Sequence, residues 1–322
     1  MNDQYGRKID YMRVSITDRC NLRCFYCMPN RIQLVNHSDI LPYEELLRIC
    51  KVAIKLGIKK FKVTGGEPLV RKDCIKFIGK LKALPTVEQV TLTTNGTLLE
   101  SYFDELCESG IDAINISIDT TDGELYNQIT GSSKYDVSKI IDMIPILIER
   151  GIRVKINAVI LAETLENALA LASIAEQHPV DIRFIELMPI GEGEKIKNVS
   201  AKELLRIIQN RYPDLHKVKE KRGNGPAHYY GAKRLLGCLG VIDAVSNSFC
   251  SKCNRVRLTS SGQLKPCLCY DDSVDLRKLI REGVSDDMLL QVMEKSIYQK
   301  PRQHKFIEKN VSENKLMSQI GG

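Results

Sequence analysis

The chain has 322 residues, 43% of them hydrophobic, 27% charged and 6% aromatic; this suits a sizeable globular core and excludes collagen, coiled-coil and disordered classes. No apolar run approaches the roughly 20 residues that cross a bilayer, and the segment from Met1 to Arg7 carries no apolar secretory stretch, so a cytoplasmic protein without membrane contact is expected. The net charge of +7, from 47 basic and 40 acidic residues, is dispersed along the chain; it suits anionic small molecules, and no nucleic-acid partner is expected from it.

Short β-rich runs at 12–16, 60–64, 89–93, 113–118, 154–159 and 181–186 alternate with helical patterns at 43–56, 72–84, 100–109, 136–149 and 166–177. Leu46, Leu47, Cys50, Ala53 and Ile54 have the spacing of one helix face, and Gly57, Gly110 and Gly151 sit where helices would stop. A further helix is expected at 201–211. Strand and helix in alternation imply parallel pairing through right-handed crossovers. Six strands are fewer than the eight of a closed barrel, so an open six-stranded barrel and a doubly wound sheet both fit the pattern. After about Pro213 the periodicity weakens. Residues 217–225 read as a loop, 274–281 as a helix, 286–309 as a polar stretch, and the end as a glycine tail. Two regions are therefore expected, 1–212 and 213–322.

Eleven cysteines without a secretory signal suggest a reducing compartment with metal or redox chemistry. Cys50, Cys74 and Cys107 fall on apolar helix faces and read as packing residues. Cys20, Cys24 and Cys27 follow the first strand in the spacing Cys-x3-Cys-x2-Cys. Iron–sulfur clusters normally take four Cys ligands, so three thiolates on one loop leave one iron open. Cys250, Cys253 and Cys267 offer three more, with Cys269 two residues on. By spacing alone that second group fits a four-thiolate zinc site equally well. Arg255 and Arg257 alternate, so on a strand they share a face, where paired guanidinium donors suit a polyphosphate.

The first cysteine loop, with Tyr26 before its last cysteine, and the turn Gly65-Gly66-Glu67-Pro68 resemble the radical S-adenosylmethionine superfamily. The resemblance implies a 4Fe–4S cluster whose open iron is chelated by S-adenosylmethionine. One electron would then release methionine and a deoxyadenosyl radical. The segment from Phe249 to Leu258 is similar to the GTP 3′,8-cyclase family of molybdenum cofactor biosynthesis. So are Asp18 to Cys24, Thr93 to Gly96, Asn115 to Asp119, Arg183 to Met188 and the terminal Gly321-Gly322, and the likeness covers nearly the whole chain.

That second resemblance implies an α/β fold: an incomplete parallel (β/α)6 TIM-like barrel with a C-terminal cluster-binding segment. It implies S-adenosylmethionine contacts at Tyr26, Gly66, Ser117 and Met188, and GTP contacts at Arg13, Thr93, Lys155, Arg255 and Arg257. Lys62 stands where the family usually has Arg; it keeps the charge but not the bidentate fork. A second 4Fe–4S cluster on Cys250, Cys253 and Cys267 would bind guanine through its open iron. Arg255, Arg257, Gly321 and Gly322 would take part in catalysis, with the tail entering the site. The reaction implied is abstraction of hydrogen from ribose C3′ and attack of that carbon on guanine C8. Reduced flavodoxin or ferredoxin would donate electrons, cyclic pyranopterin monophosphate synthase would act downstream, and the protein would be a homodimer. The alternative is a peptide-modifying radical S-adenosylmethionine enzyme with an auxiliary cluster.

Overall fold

The computed structural model describes residues 1–29, 32–220, 222–308, 311–313 and 315–321. The first two thirds run β1 (Tyr11–Ser15), α1 (Tyr43–Lys55), β2 (Lys60–Thr64), α2 (Cys74–Lys82), β3 (Gln89–Thr94), α3 (Phe103–Glu108), β4 (Ala113–Ser117), α4 (Gly123–Thr130), α5 (Val137–Glu149), β5 (Arg153–Ile160), α6 (Ala168–Gln177), β6 (Asp181–Glu186) and α7 (Ala201–Arg211). The remainder adds β7 (His216–Lys217), β8 (His228–Gly231), β9 (Leu239–Ile242), β10 (Arg255–Leu258), β11 (Gln263–Lys265), β12 (Val274–Asp275), α8 (Leu276–Arg281) and α9 (Asp286–Tyr298).

All twelve strands form one sheet, in the order β12-β11-β10-β1-β2-β3-β4-β5-β6-β9-β8-β7. Strands β1 to β6 are parallel neighbours in sequence order, as the alternating pattern implies. The C-terminal region adds β10 in parallel beside β1 and β9 in parallel beside β6. Among the described residues no pairing joins β9 to β10, so the barrel is incomplete.

Period-two alternation divides each strand between two environments. Met12, Val14, Phe61, Val63, Val90, Leu92, Ile114, Val154, Ile156 and Ile182 point outward and are buried against the helices. The intervening positions, including Arg13, Lys62, Thr91, Asn115, Lys155 and Arg183, point into the barrel. The apolar core is therefore the layer between sheet and helices, and the interior is polar.

Two helices differ from expectation. Residues 286–309 contain α9, capped by Ser285, whose hydroxyl accepts from Met288 N at 3.2 Å. Leu289, Met293 and Ile297 form its buried face at four-residue spacing. Helix α4, absent from the sequence reading, starts at Asp122, whose carboxylate accepts from Leu125 N at 2.8 Å.

Candidate active site

Cys20, Cys24 and Cys27 lie on the loop leaving the C-terminal end of β1. The glycine turn after β2 clamps the start of that loop. Gly66 N donates to Thr17 O at 2.8 Å and Glu67 N to Arg19 O at 2.7 Å. A Cβ on Gly66 would lie 2.4 Å from the Arg19 carbonyl, so only glycine allows this approach. Helix α4 supports the loop from the other side, through Arg23 N to Thr130 O and Phe25 N to Ile129 O, at 2.8 and 3.1 Å. Asn95 Nδ2 donates to Asn21 Oδ1 at 2.8 Å, tying the loop to the end of β3.

The Tyr26 hydroxyl donates to Asp119 at 2.7 Å, and Val159 N donates to the other oxygen of the same carboxylate at 2.7 Å. Burial pushes Asp119 up to about 6 and Glu67 up to about 7. Burial likewise pushes Cys20 up to about 11 and Cys27 up to about 12, and burial, then the facing Cys27 and Asp119, raise Cys24 well above its ordinary value. Three half-buried thiols facing one another ionise only against positive charge. That donor set fits an iron–sulfur cluster, which takes thiolates.

The second thiol group is placed by other means. The Glu186 carboxylate, fully buried at the end of β6, accepts from Val245 N, Ser246 N and Ser246 Oγ at 3.0, 2.9 and 2.6 Å. This fixes the segment entering Cys250. The β10–β11 hairpin then carries the chain out and back, so Cys253 precedes it and Cys267 follows it. Burial raises Cys267. Burial acts against ionisation of Cys253 too, but the Lys300 and Arg255 charges override it and bring the thiol down to about 7. Cys250 is lowered as well, because hydrogen bonds from His304 and Ser248 outweigh burial. Cys269 is fully buried in an apolar group with Ile190, Phe306 and Ile320, against which Cys267 also packs, and burial pushes its thiol up to about 11. Among the described residues no three His, Cys, Asp or Glu side chains converge as they would on a single metal ion. Cys250, Cys253 and Cys267 offer three thiols, two of them lowered by neighbouring cations and hydrogen bonds, and thiolates are the donors an iron–sulfur cluster takes.

Arg13, Lys62, Thr93, Lys155 and Arg255, five of the residues expected to meet GTP, line one cavity of about 500 Å³ in the barrel interior. Arg257, 9% exposed, lies in register with Arg13, which is in register with Lys62, so three cations sit side by side on β10, β1 and β2. Burial and then the neighbouring cations hold Lys62 and Arg257 well below their ordinary values; burial likewise lowers Arg13 to about 10, with Arg255 and Arg183 adding to the fall.

Sequence reasoning gave no role to Arg183 or Asp181, which line the same cavity. Arg183 Nη2 donates to Asn115 Oδ1, while Arg183 Nε, Arg13 Nε and Asn157 Oδ1 are buried without a partner among the described residues. Asp181 is the one carboxylate among the described lining residues; it pairs with Lys155 at 2.7 Å and with Arg222 at 2.9 Å. The signal for Arg183 was its inward register on a strand whose alternate residues, Ile182 and Phe184, are apolar.

Ser117 ends β4 opposite Asn157, and Met188 follows β6, packed on the apolar group around Cys269. The C-terminal tail spans the two thiol regions. The Ser318 backbone N–H faces the Cys27 thiol, and Arg257 Nη1 donates to Gly321 O at 3.0 Å. Gly321 has φ +79°, and a Cβ there would lie 3.0 Å from Ser15 Cβ. Gly322 lies outside the described residues.

A parallel barrel with a three-thiolate loop after its first strand, braced by the Gly-Gly-Glu-Pro turn, defines the radical S-adenosylmethionine class. The family model of the Radical SAM superfamily matches residues 14–173, and that described as Molybdenum Cofactor Synthesis C matches 180–306. The chain is 43% identical to the GTP 3′,8-cyclase of Clostridium perfringens (strain SM101 / Type A) over 325 residues, and 39% identical to that of Heliobacterium modesticaldum over 343, covering 100% of both chains in each case. The chain belongs to the GTP 3′,8-cyclase family. Among solved structures, Streptococcus suis SuiB bound to S-adenosylmethionine aligns with a TM-score of 0.64 at 17% identity, over 89% of this chain and 68% of that one; this likeness shows the fold.

Proposed function

We propose that this protein converts GTP to (8S)-3′,8-cyclo-7,8-dihydroguanosine 5′-triphosphate in molybdenum cofactor biosynthesis, using S-adenosylmethionine and two 4Fe–4S clusters. The observation that carries the reading is charge. Arg13, Lys62, Lys155, Arg183, Arg222 and Arg255 surround one cavity against the single carboxylate of Asp181. Cations crowded this closely call for a polyanion, and a triphosphate supplies it. The relatives' shared name, GTP 3′,8-cyclase, supports the same substrate. A peptide substrate offers no comparable charge, so the peptide-modifying alternative is not favoured.

Cys20, Cys24 and Cys27 would hold the cluster that supplies the electron for cleavage of S-adenosylmethionine. Tyr26, Gly66, Ser117 and Met188 would seat that cosubstrate, with Asp119 fixing Tyr26. Cys250, Cys253 and Cys267 would hold the second cluster, at which guanine is anchored. Arg13, Lys62, Thr93, Lys155, Arg255 and Arg257 would grip the phosphates, and Arg257 would also hold the Gly321-Gly322 tail. Such anchoring at both ends of the nucleotide presents ribose C3′ in a fixed orientation and excludes water. Reduced flavodoxin or ferredoxin as donor, cyclic pyranopterin monophosphate synthase as the next enzyme, a homodimer and a cytoplasmic location complete the proposal, on the strength of the family resemblance. Residues 1–212 would form the barrel unit and 213–322 the segment that adds the second cluster and the tail.

Anaerobic incubation with GTP, S-adenosylmethionine and a reductant tests this directly. Forming the C3′–C8 bond while reducing the C8–N7 bond leaves the formula unchanged. The expected product is therefore an isomer of GTP, formed with methionine and 5′-deoxyadenosine. Intact GTP recovered beside cleaved S-adenosylmethionine would contradict the assignment.

A further inference from the structure

Two buried lysines flank the second thiol group, and their charges are answered differently. Lys265, 1% exposed, pairs with the equally enclosed Glu313 and donates to Tyr270 O at 2.7 Å. Lys300, 3% exposed, donates to Arg255 O at 2.9 Å and to Pro266 O, and to no carboxylate among the described residues. A buried ammonium held only by neutral carbonyls is costly unless a negative group lies close by. The two carbonyls show which group that is. Arg255 stands two residues after Cys253, and Pro266 immediately before Cys267, so the ammonium is fixed against the backbone that carries two of the three thiols.

The same stretch reaches the third thiol. His304 N donates to Cys250 Sγ at 3.4 Å. Arg7 clamps the stretch in place: its guanidinium donates to Cys250 O and Arg302 O, each at 2.9 Å, and to Pro301 O at 2.7 Å, while Asp3 neutralises it at 2.6 Å. The segment 300–304 after α9 thus addresses Cys250, Cys253 and Cys267 together.

We infer that Lys300 is the fixed counter-charge of the second iron–sulfur cluster, a positioning residue that braces Cys253 and Cys267 and raises the cluster's reduction potential. The inference rests on the two-cluster reading proposed above. Its physical basis is that the thiolate-bound cluster becomes more negative on reduction, and a nearby buried cation stabilises that state.

The test uses the full-length protein with Cys20, Cys24 and Cys27 replaced by Ser, so that only the second cluster remains, followed by an EPR-monitored redox titration and iron analysis. Absence of any cluster in this parent would overturn the two-cluster reading itself. With the cluster present, Lys300→Gln, which removes the charge and keeps an N–H donor, is expected to shift the potential to a more negative value at unchanged iron content. Lys300→Arg is expected to stay near the parent. If Lys300→Gln fails to assemble the cluster while Lys300→Arg assembles it, the charge requirement is upheld in another form. An unchanged potential in Lys300→Gln, or the same shift in Lys300→Arg as in Lys300→Gln, overturns the inference.

Discussion

The two thiol groups have the same ligand chemistry in opposite electrostatic settings. Around Cys20, Cys24 and Cys27 the acids Glu67 and Asp119 outweigh the cation Arg23, and all three thiols are held above their ordinary values, with burial the largest cause. Around Cys250 and Cys253 the neighbours are Lys300, Arg255 and His304, and both thiols are held below, whereas burial still raises Cys267 against the opposing charge of Lys300. Acidic surroundings disfavour an added electron, which suits a centre that must give one away; cationic surroundings favour an anionic centre and an anionic substrate beside it. The difference teaches that a cysteine count cannot assign the two roles, whereas the neighbouring residues can.

The most severe test of this division is loss of a ligand on either side. Cys24→Ala is expected to abolish both S-adenosylmethionine cleavage and product. Cys253→Ala should lose product by on the order of 10³-fold or more, since groups acting as a unit fail together, while some S-adenosylmethionine cleavage survives. Quantifying 5′-deoxyadenosine beside cyclised nucleotide separates the two. Equal loss of both in the two variants would break the comparison.

Next in size is the tail that spans the two regions. Deleting Gly321 and Gly322 removes the carbonyl that Arg257 holds. It is expected to abolish cyclisation with both clusters assembled, as read by product yield against iron content. Full activity after truncation would make the tail an ordinary frayed end.

The cavity cations give a smaller and more discriminating effect. Arg255→Ala or Arg257→Ala should weaken GTP binding by about 1.5–3 kcal/mol, the scale of a charge-assisted hydrogen bond, measured by anaerobic equilibrium dialysis. Smaller still, Lys62→Met should weaken GTP binding yet raise the stability of the ligand-free protein by about 1 kcal/mol in urea unfolding, because it relieves burial of a like charge beside Arg13. Binding and stability moving in the same direction would mean that Lys62 has a compensating partner.

The parallel sheet was legible because strand and helix patterns alternate from β1 to β6, whereas the incomplete barrel, rather than a doubly wound sheet, came from the family resemblance. Both cysteine groups were legible from spacing, and Arg13, Lys155, Arg255 and Arg257 from the family resemblance. Strands β9 and β10 were harder to place: each has four residues, and β10 pairs with β1, more than two hundred residues away in the chain. Helix α9 is hard to read because its exposed charged residues mask a regular buried face, and α4 because it is only eight residues long, between the caps Asp122 and Gly131. Arg183 and Asp181 lie on a strand that was correctly read, but their roles depend on which inward residues of neighbouring strands they meet. Lys300 is invisible to pattern reading because its partners are two backbone carbonyls.

The central claim is that both thiol groups, in their opposite settings, hold iron–sulfur clusters. Iron and zinc analysis after anaerobic reconstitution tests it most directly. The account predicts roughly eight irons per chain, two four-iron clusters, with little zinc. About four irons and one zinc would contradict it, returning Cys250, Cys253 and Cys267 to a structural site.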